Sequence, residues 1–209
     1  MNATVVPLFS KVFYLKKLNL NTNKIIDLID LDFHKSGSKN ISNIKDMSLQ
    51  SNVKSVLNQK KFKYLKNILI EEFNIYNNEV LHYSNEFKIT TSWFTKSLTD
   101  QKSDYHNHCN SMISGILYLN TDEKSGGVSF ENFENVRFKL IPKKYNIYNC
   151  LEYTFKPSNG LLIFFPSEVY HKILNNNSNI IRYSLAFNLI PVGPIGDKNS
   201  DSFINIQIK

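Results

Sequence analysis

Residues 160–188 read GLLIFFPSEVYHKILNNNSNIIRYSLAFN, and the fold turns on how that stretch divides. Leu161 to Phe165 is an unbroken apolar run between Gly160 and Pro166, the pattern of a buried strand. Beyond it, His171 and Arg182 flank the polar run Asn175-Asn176-Asn177-Ser178. Asn tolerates positive φ, so this run predicts the turn of a β-hairpin, with His171 on one arm and Arg182 on the other. With a two-residue loop at Asn176-Asn177, His171 lies directly opposite Arg182, and opposed side chains share a face at roughly 5 Å. A one-residue shift pairs His171 with Ser184, on the same face as Arg182. Under either register a candidate metal ligand and a candidate anion clamp share one wall of a sheet.

Arg182 carries information of its own. The chain holds 25 Lys and Arg together, and only Arg137 and Arg182 are Arg. A planar guanidinium grips a carboxylate bidentately, which an ammonium cannot do. The competing reading is a structural arginine paired with a buried Asp or Glu.

The 209 residues, 42% hydrophobic and 13% aromatic, suit one globular domain over 1–209. Leu161 to Phe165 is the longest apolar run and is far too short to span a bilayer. The opening MNATVVPLFSKVFYLKK has no basic leader before its apolar part, and Cys109 and Cys150 form no CxxC pair. The expectation is a cytoplasmic protein with reduced thiols, Cys109 being a buried apolar residue. The net charge of +7 comes from scattered lysines without an aromatic-interleaved basic stripe, which argues against a nucleic-acid partner.

Residues 8–19 predict a strand leading into a helix capped by Asn21 or Thr22. Residues 34–50 are polar and read as a loop. Over 53–80, Phe62, Leu65, Leu69, Phe73 and Tyr76 recur at spacings of three and four, the stripe of a helix that covers a sheet. From Phe87 the period becomes two: Phe87, Ile89, Thr91 and Trp93 alternate with Lys88, Thr90 and Ser92. Further strands are expected near 105–109, 112–119, 127–131, 136–141, 145–155, 160–165, 168–174 and 180–190. Short strands at this spacing predict an antiparallel sandwich or barrel over 87–192, supported by 1–85 and followed by a tail over 193–209. The apolar edge Phe203 to Ile208 is a candidate for pairing between chains.

Tyr105-His106-Asn107-His108 supplies the other half of the site. On a strand, residues two apart point the same way, so both imidazoles can face inward. Of five histidines, His106, His108 and His171 all fall on predicted strands. Imidazoles suit iron, zinc, copper or nickel, and three protein ligands leave positions open for catalysis.

Taken together these pieces resemble the Fe(II)- and 2-oxoglutarate-dependent oxygenases. The corresponding elements are His106-Asn107-His108, the strand SGILYLN ending at Asn120, Gly126-Gly127 before VSFEN, His171, and Arg182-Tyr183-Ser184. Tyr118 matches the Y-L-N tyrosine of the prolyl-hydroxylase branch. The resemblance covers about residues 87–190 and implies a double-stranded β-helix (a cupin-like jelly roll, mainly β with flanking helices) on N-terminal α-helical support. It also implies Fe(II) at His106, His108 and His171, and the 5-carboxylate of 2-oxoglutarate at Arg182, Ser184 and Tyr118. The implied reaction uses O2 and releases succinate while a C–H bond of a small-molecule or peptidyl substrate is hydroxylated. One position departs from the family pattern: His108 stands where Asp or Glu is usual. Three options follow. The site has three histidines; or Asn110 or water is the ligand, with His108 behind it; or the metal is not iron.

Trp93, Phe130, Phe133 and Phe164 are expected in the core, and 34–50 and 142–158 are candidate lids. Two other functions remain open. One is a three-histidine cupin-type dioxygenase without a keto acid, since Gly160, Pro166, His171 and Asn175 match the second cupin motif except at Glu168. The other is a non-catalytic jelly-roll binding module.

Overall fold

The two longest strands of the chain pair with each other. In the computed structural model, which describes residues 3–35, 46–132, 138 and 140–208, β4 (Glu86–Ser97) runs antiparallel to β10 (Arg182–Ile195). Around them the chain adds β1 (Tyr14–Lys17), β2 (Phe33–Lys35), β3 (Leu49–Ser51), β5 (Ile113–Asn120) and β8 (Leu161–Pro166). The resulting sheet has the order β1-β8-β5-β10-β4-β3-β2, with β11 (Ile204–Ile206) pairing the far end of β10. A second sheet of three strands, β7-β6-β9, is built from β6 (Val128–Glu131), β7 (Glu152–Phe155) and β9 (Tyr170–Ile173). The two sheets form the double-stranded β-helix that the resemblance implies.

Each face of the large sheet buries its own core. α2 (Lys63–Tyr76) lays Leu65, Leu69, Phe73 and Tyr76 against Phe87, Leu117, Phe164 and Phe187 on the outer face. Aromatic edges close the contact, with Phe73 and Phe164 rings 5.5 Å apart. The short helix α1 (Thr22–Asp27) precedes it, and Asn21 caps α1 by accepting from the Lys24 amide at 3.0 Å. Between the sheets lie Ile116, Tyr118, Val128, Phe130, Ile163, Phe165 and Val169.

The predicted hairpin of His171 and Arg182 is corrected here. β9 pairs β6 while β10 pairs β4 and β5, so the two residues belong to different sheets. The asparagine run lies in the β9–β10 crossover, with its middle residue turned inward. Asn176 is fully enclosed, and its amide donates to the Ser97 and Ile180 carbonyls. Residues holding backbone partners on another segment cannot close a two-residue turn.

The alternation along β4 also breaks. Asn188 pairs Thr91 and Leu189 pairs Ile89, leaving Thr90 as the extra residue of a bulge. Phe87 and Ile89 therefore face the α2 core, whereas Thr91, Trp93, Thr95 and Ser97 face the inter-sheet space.

Other boundaries differ more modestly. The predicted strand 105–109 is a single bridge at His106. The helix over 53–80 resolves into two 3-10 turns, α2, and a π turn at Asn77–Leu81. The loop over 34–50 contributes β2 and β3 at its ends. The predicted strand 136–141 lies partly outside the described residues, as does Phe133; Leu140 and Ile141 are exposed and unpaired as strand. Cys109 is exposed rather than buried. The tail edge pairs within the chain, through β11 on β10. Among the described residues no helix is long and apolar enough to cross a membrane.

Gly126 and Gly127 join β5 to β6 at positions that reject a side chain. Gly126 has φ +63°, and a Cβ on Gly127 would overlap the Phe155 carbonyl of β7. Gly127→Ala should therefore lower stability by about 1–3 kcal/mol in urea unfolding. Wild-type stability in that variant would contradict the β6–β7 register.

Candidate functional site

His106 and His171 meet through the backbone. Each amide donates to the other's carbonyl at 2.9 Å, forming an antiparallel bridge that puts both side chains on one face. His108 follows, held by its amide to the Ser167 carbonyl at 2.9 Å. The three rings lie 4.3 Å (His106–His171), 5.1 Å (His108–His171) and 5.4 Å (His106–His108) apart, and one ligand atom from each falls within 4.8 Å of the others.

Their Nδ1 atoms are all engaged away from this meeting point. His106 Nδ1 lies 2.8 Å from the Asp104 carbonyl and His171 Nδ1 lies 2.9 Å from the Val169 carbonyl. A carbonyl only accepts, so each Nδ1 carries the proton and each Nε2 keeps a lone pair. His108 Nδ1 sits 2.7 Å from Asn188 Oδ1 and 2.8 Å from Ser114 Oγ. Burial disfavours the charged form of all three. It lowers His106, and it takes His108 to about 4, partly opposed by the Asn188 hydrogen bond. His171 falls to about 3, where the other two imidazoles add to the burial effect. Burial thus favours the neutral form of all three imidazoles, and His106 and His171 hold their Nε2 lone pairs free, a donor set that suits a borderline transition metal.

Arg182 and Tyr118 form the deep end. Arg182 is 1% exposed and donates through NH1 to the Ser125, Gly126 and Leu174 carbonyls, and through NH2 to Ser97 Oγ at 2.8 Å. No carboxylate among the described residues pairs with it, which removes the purely structural ion-pair reading. Tyr118 is 1% exposed and its hydroxyl is buried without a partner. Burial raises its pKa to about 12, opposed by the nearby Arg182 charge and by the Val128 amide, which faces the oxygen without closing a hydrogen bond. An orphaned hydroxyl beside a guanidinium lacking a counter-ion is the complement of a carboxylate. Ser184 joins them on the inward face, opposite Tyr118 on β5 and Thr95 on β4.

Two site residues were not apparent in the sequence. Trp93, expected in the core, is half-buried with its ring 5.7 Å from His108, because the Thr90 bulge moves it to the inner face. Asn188 continues the inward row Arg182, Ser184, Ala186 by the same period of two. Phe130 and Phe164 are core as expected, although Phe130 also abuts His171, with rings 5.5 Å apart.

Residues 91–188 match a family described as "Putative 2OG-Fe(II) oxygenase". No curated protein matches the sequence. Among solved structures, a prolyl-4-hydroxylase of Pseudomonas putida is similar at TM-score 0.56 and 16% identity, covering 87% of this chain and 94% of that one. The collagen prolyl hydroxylase of Paramecium Bursaria Chlorella virus-1, solved with 2OG, gives 0.54 and 12%, over 85% and 94% of the two chains. HygX of Streptomyces hygroscopicus, solved with nickel, 2-oxoglutarate and hygromycin B, gives 0.56 and 10%, over 87% and 83%. At these identities the likeness is one of fold.

The unpartnered hydroxyl makes a prediction for the ligand-free protein. Removing a buried hydroxyl that has no hydrogen bond relieves a desolvation penalty of about 1–3 kcal/mol. Tyr118→Phe should melt at or above the wild-type temperature. A clear drop would show that the hydroxyl is partnered in the free protein.

Proposed function

We propose a three-histidine hydroxylase of the 2OG-Fe(II) oxygenase family, whose model residues 91–188 match, in which His106, His108 and His171 bind iron. Fe(II), 2-oxoglutarate and O2 are the cofactor and cosubstrates of the family. When bound they supply the redox chemistry: 2-oxoglutarate, O2 and R–H become succinate, CO2 and R–OH.

The residues fit these groups. Three Nε2 lone pairs converge for the metal, and each ring is held from behind so that binding requires no rotation. Arg182, Tyr118 and Ser184 receive the 5-carboxylate of the keto acid. The carbonyls of Ser125, Gly126 and Leu174 hold the guanidinium in place, and Tyr118 Oη donates to the carboxylate. The apolar lining of Ile116, Ile163 and Phe165 between the two ends excludes water. The observation that carries this reading is the orphaned Tyr118 hydroxyl beside Arg182. A three-histidine dioxygenase without a keto acid would need such a cradle only for a substrate that itself carries a carboxylate.

The substrate is a small molecule or a peptidyl side chain. A groove of about 910 Å3 runs between Val12, Phe13, Phe130, Tyr148, Leu151 and Val169. Phe130 and Val169 both touch His171, so the groove runs up to the outer side of that histidine. One wall comes from the segment 142–158, the candidate lid.

The test is anaerobic titration of the Fe(II)-loaded protein with 2-oxoglutarate, following the weak visible charge-transfer band of the bidentate chelate. A saturable band is expected. Tyr118→Phe should weaken keto-acid binding by about tenfold, the worth of one hydrogen bond to a charged group. Arg182→Lys should weaken it further, since the charge stays and the fork is lost. His171→Ala should lose the iron and the band. Iron binding without any band would overturn the keto-acid assignment in favour of the cupin-type chemistry. A protein that binds no iron would be the non-catalytic module.

A further inference from the structure

His108 differs from the other two histidines in how its ring is held. His106 and His171 rest on backbone carbonyls, which can only accept. His108 rests on side chains. Asn188 Oδ1 is 2.7 Å from its Nδ1, and Ser114 Oγ is 2.8 Å away. Asn188 is itself fixed: its Nδ2 donates to Thr91 Oγ1 at 2.9 Å, and its Oδ1 also receives the Ser114 hydroxyl at 2.8 Å. Behind Ser114 the chain of hydroxyls continues through Ser167 and Ser111, each link below 3.0 Å, to the Leu189 carbonyl at 3.1 Å. Ser114 and Ser167 are wholly buried.

The orientation of the Asn188 amide decides the tautomer of His108, because Ser114 alone could donate to Nδ1 or accept from it. Ser111 gives its proton to a backbone carbonyl, Ser167 gives its own to Ser111, and Ser114 is left to donate onward. With Nδ2 turned to Thr91, Oδ1 is the atom that faces His108, and it can only accept. The reversed amide would put an NH2 group on Nδ1 and force the imidazole proton onto Nε2, into the space between the three rings.

We propose that Asn188 is a positioning residue for the metal centre, holding His108 in the Nδ1–H tautomer so that its Nε2 lone pair completes the three-histidine set. This rests on the three-histidine reading above and assigns Asn188 a role in it. It also explains how an imidazole works at a position that favours a carboxylate. A carboxylate presents a lone pair in any orientation, whereas an imidazole must have its proton placed on the far nitrogen. The sheet supplies that far contact across three strands, from Thr91 on β4, Asn188 on β10 and Ser114 on β5.

Two measurements test it. The metal-free protein, labelled with 15N-histidine, reports the tautomer of each ring by long-range 1H–15N correlation; His108 is expected as Nδ1–H, and an Nε2–H signal for His108 would overturn the proposal whatever the metal does. The second uses Trp93, the single tryptophan, whose ring is 5.7 Å from that of His108 and whose fluorescence a bound paramagnetic ion quenches. In a Co(II) titration, Asn188→Leu should weaken binding by about 10–100-fold, the usual effect of removing a ligand's orienting partner. Asn188→Asp keeps an acceptor oxygen and should bind Co(II) at least as tightly as wild type. Wild-type affinity in a folded Asn188→Leu protein would sink the assignment. Should wild type quench with no metal at all, the three-histidine reading fails, while the 15N spectrum still decides the tautomer.

Discussion

The reciprocal pair of backbone hydrogen bonds between His106 and His171 is the constraint on which the site depends. It joins the segment after β4 to β9, residues far apart in the chain, and by ladder geometry it puts two imidazoles on one face with no further requirement on their side chains. Once that bridge exists, the His108 amide reaches the Ser167 carbonyl one step further on, and the third ring turns toward the other two. The meeting of the three imidazoles is therefore a property of the sheet pairing, and the contacts at each Nδ1 set how the rings turn.

The other end of the pocket is organised from a different sheet. Arg182 begins β10 in the large sheet, yet its guanidinium is anchored on carbonyls of the β5–β6 turn and of the β9–β10 crossover. Those carbonyls are available because Gly126 bends the turn through positive φ and because Asn176 holds the crossover in the interior. A cation surrounded by carbonyl dipoles is tolerated in the core without a carboxylate partner, and it keeps its attraction for an incoming anion. The predicted hairpin placed His171 and Arg182 on one wall. The structure sets them in different sheets, His171 on β9 and Arg182 on β10.

Much of this was legible in residues 87–190, and the failures share a cause. The imidazole pair, the inward Arg182 and Ser184, and the helix covering the sheet follow from period and residue type alone. Hairpin register, in contrast, was inferred from the Asn run by local turn chemistry. Asn176 uses its side chain for partners some 79 residues away in sequence, at Ser97, which no local rule reports. An unbroken alternation from Phe87 predicts Trp93 in the core. A single extra residue at Thr90 reverses every side chain after it. Asn188 is within reach, since it falls on the same period as Arg182 and Ser184, but a polar residue on an inward strand face has no distinguishing mark until its partner His108 is known.

The electrostatic character of the site follows from the same contacts. Every ligand is a neutral imidazole, and every group behind the ligands is an amide oxygen or a hydroxyl: the Asp104 and Val169 carbonyls, Asn188 and Ser114. No carboxylate joins the cluster among the described residues. A divalent ion held here keeps its full charge in a poorly solvated pocket, with the Arg182 cation at the other end. Both charges are relieved by the same dianion, a keto acid that chelates at one end and offers a carboxylate at the other. Under the proposed function, His108 in place of a carboxylate would move the charge balance from the protein to the cosubstrate, and would tie occupancy of the metal site to occupancy of the carboxylate cradle.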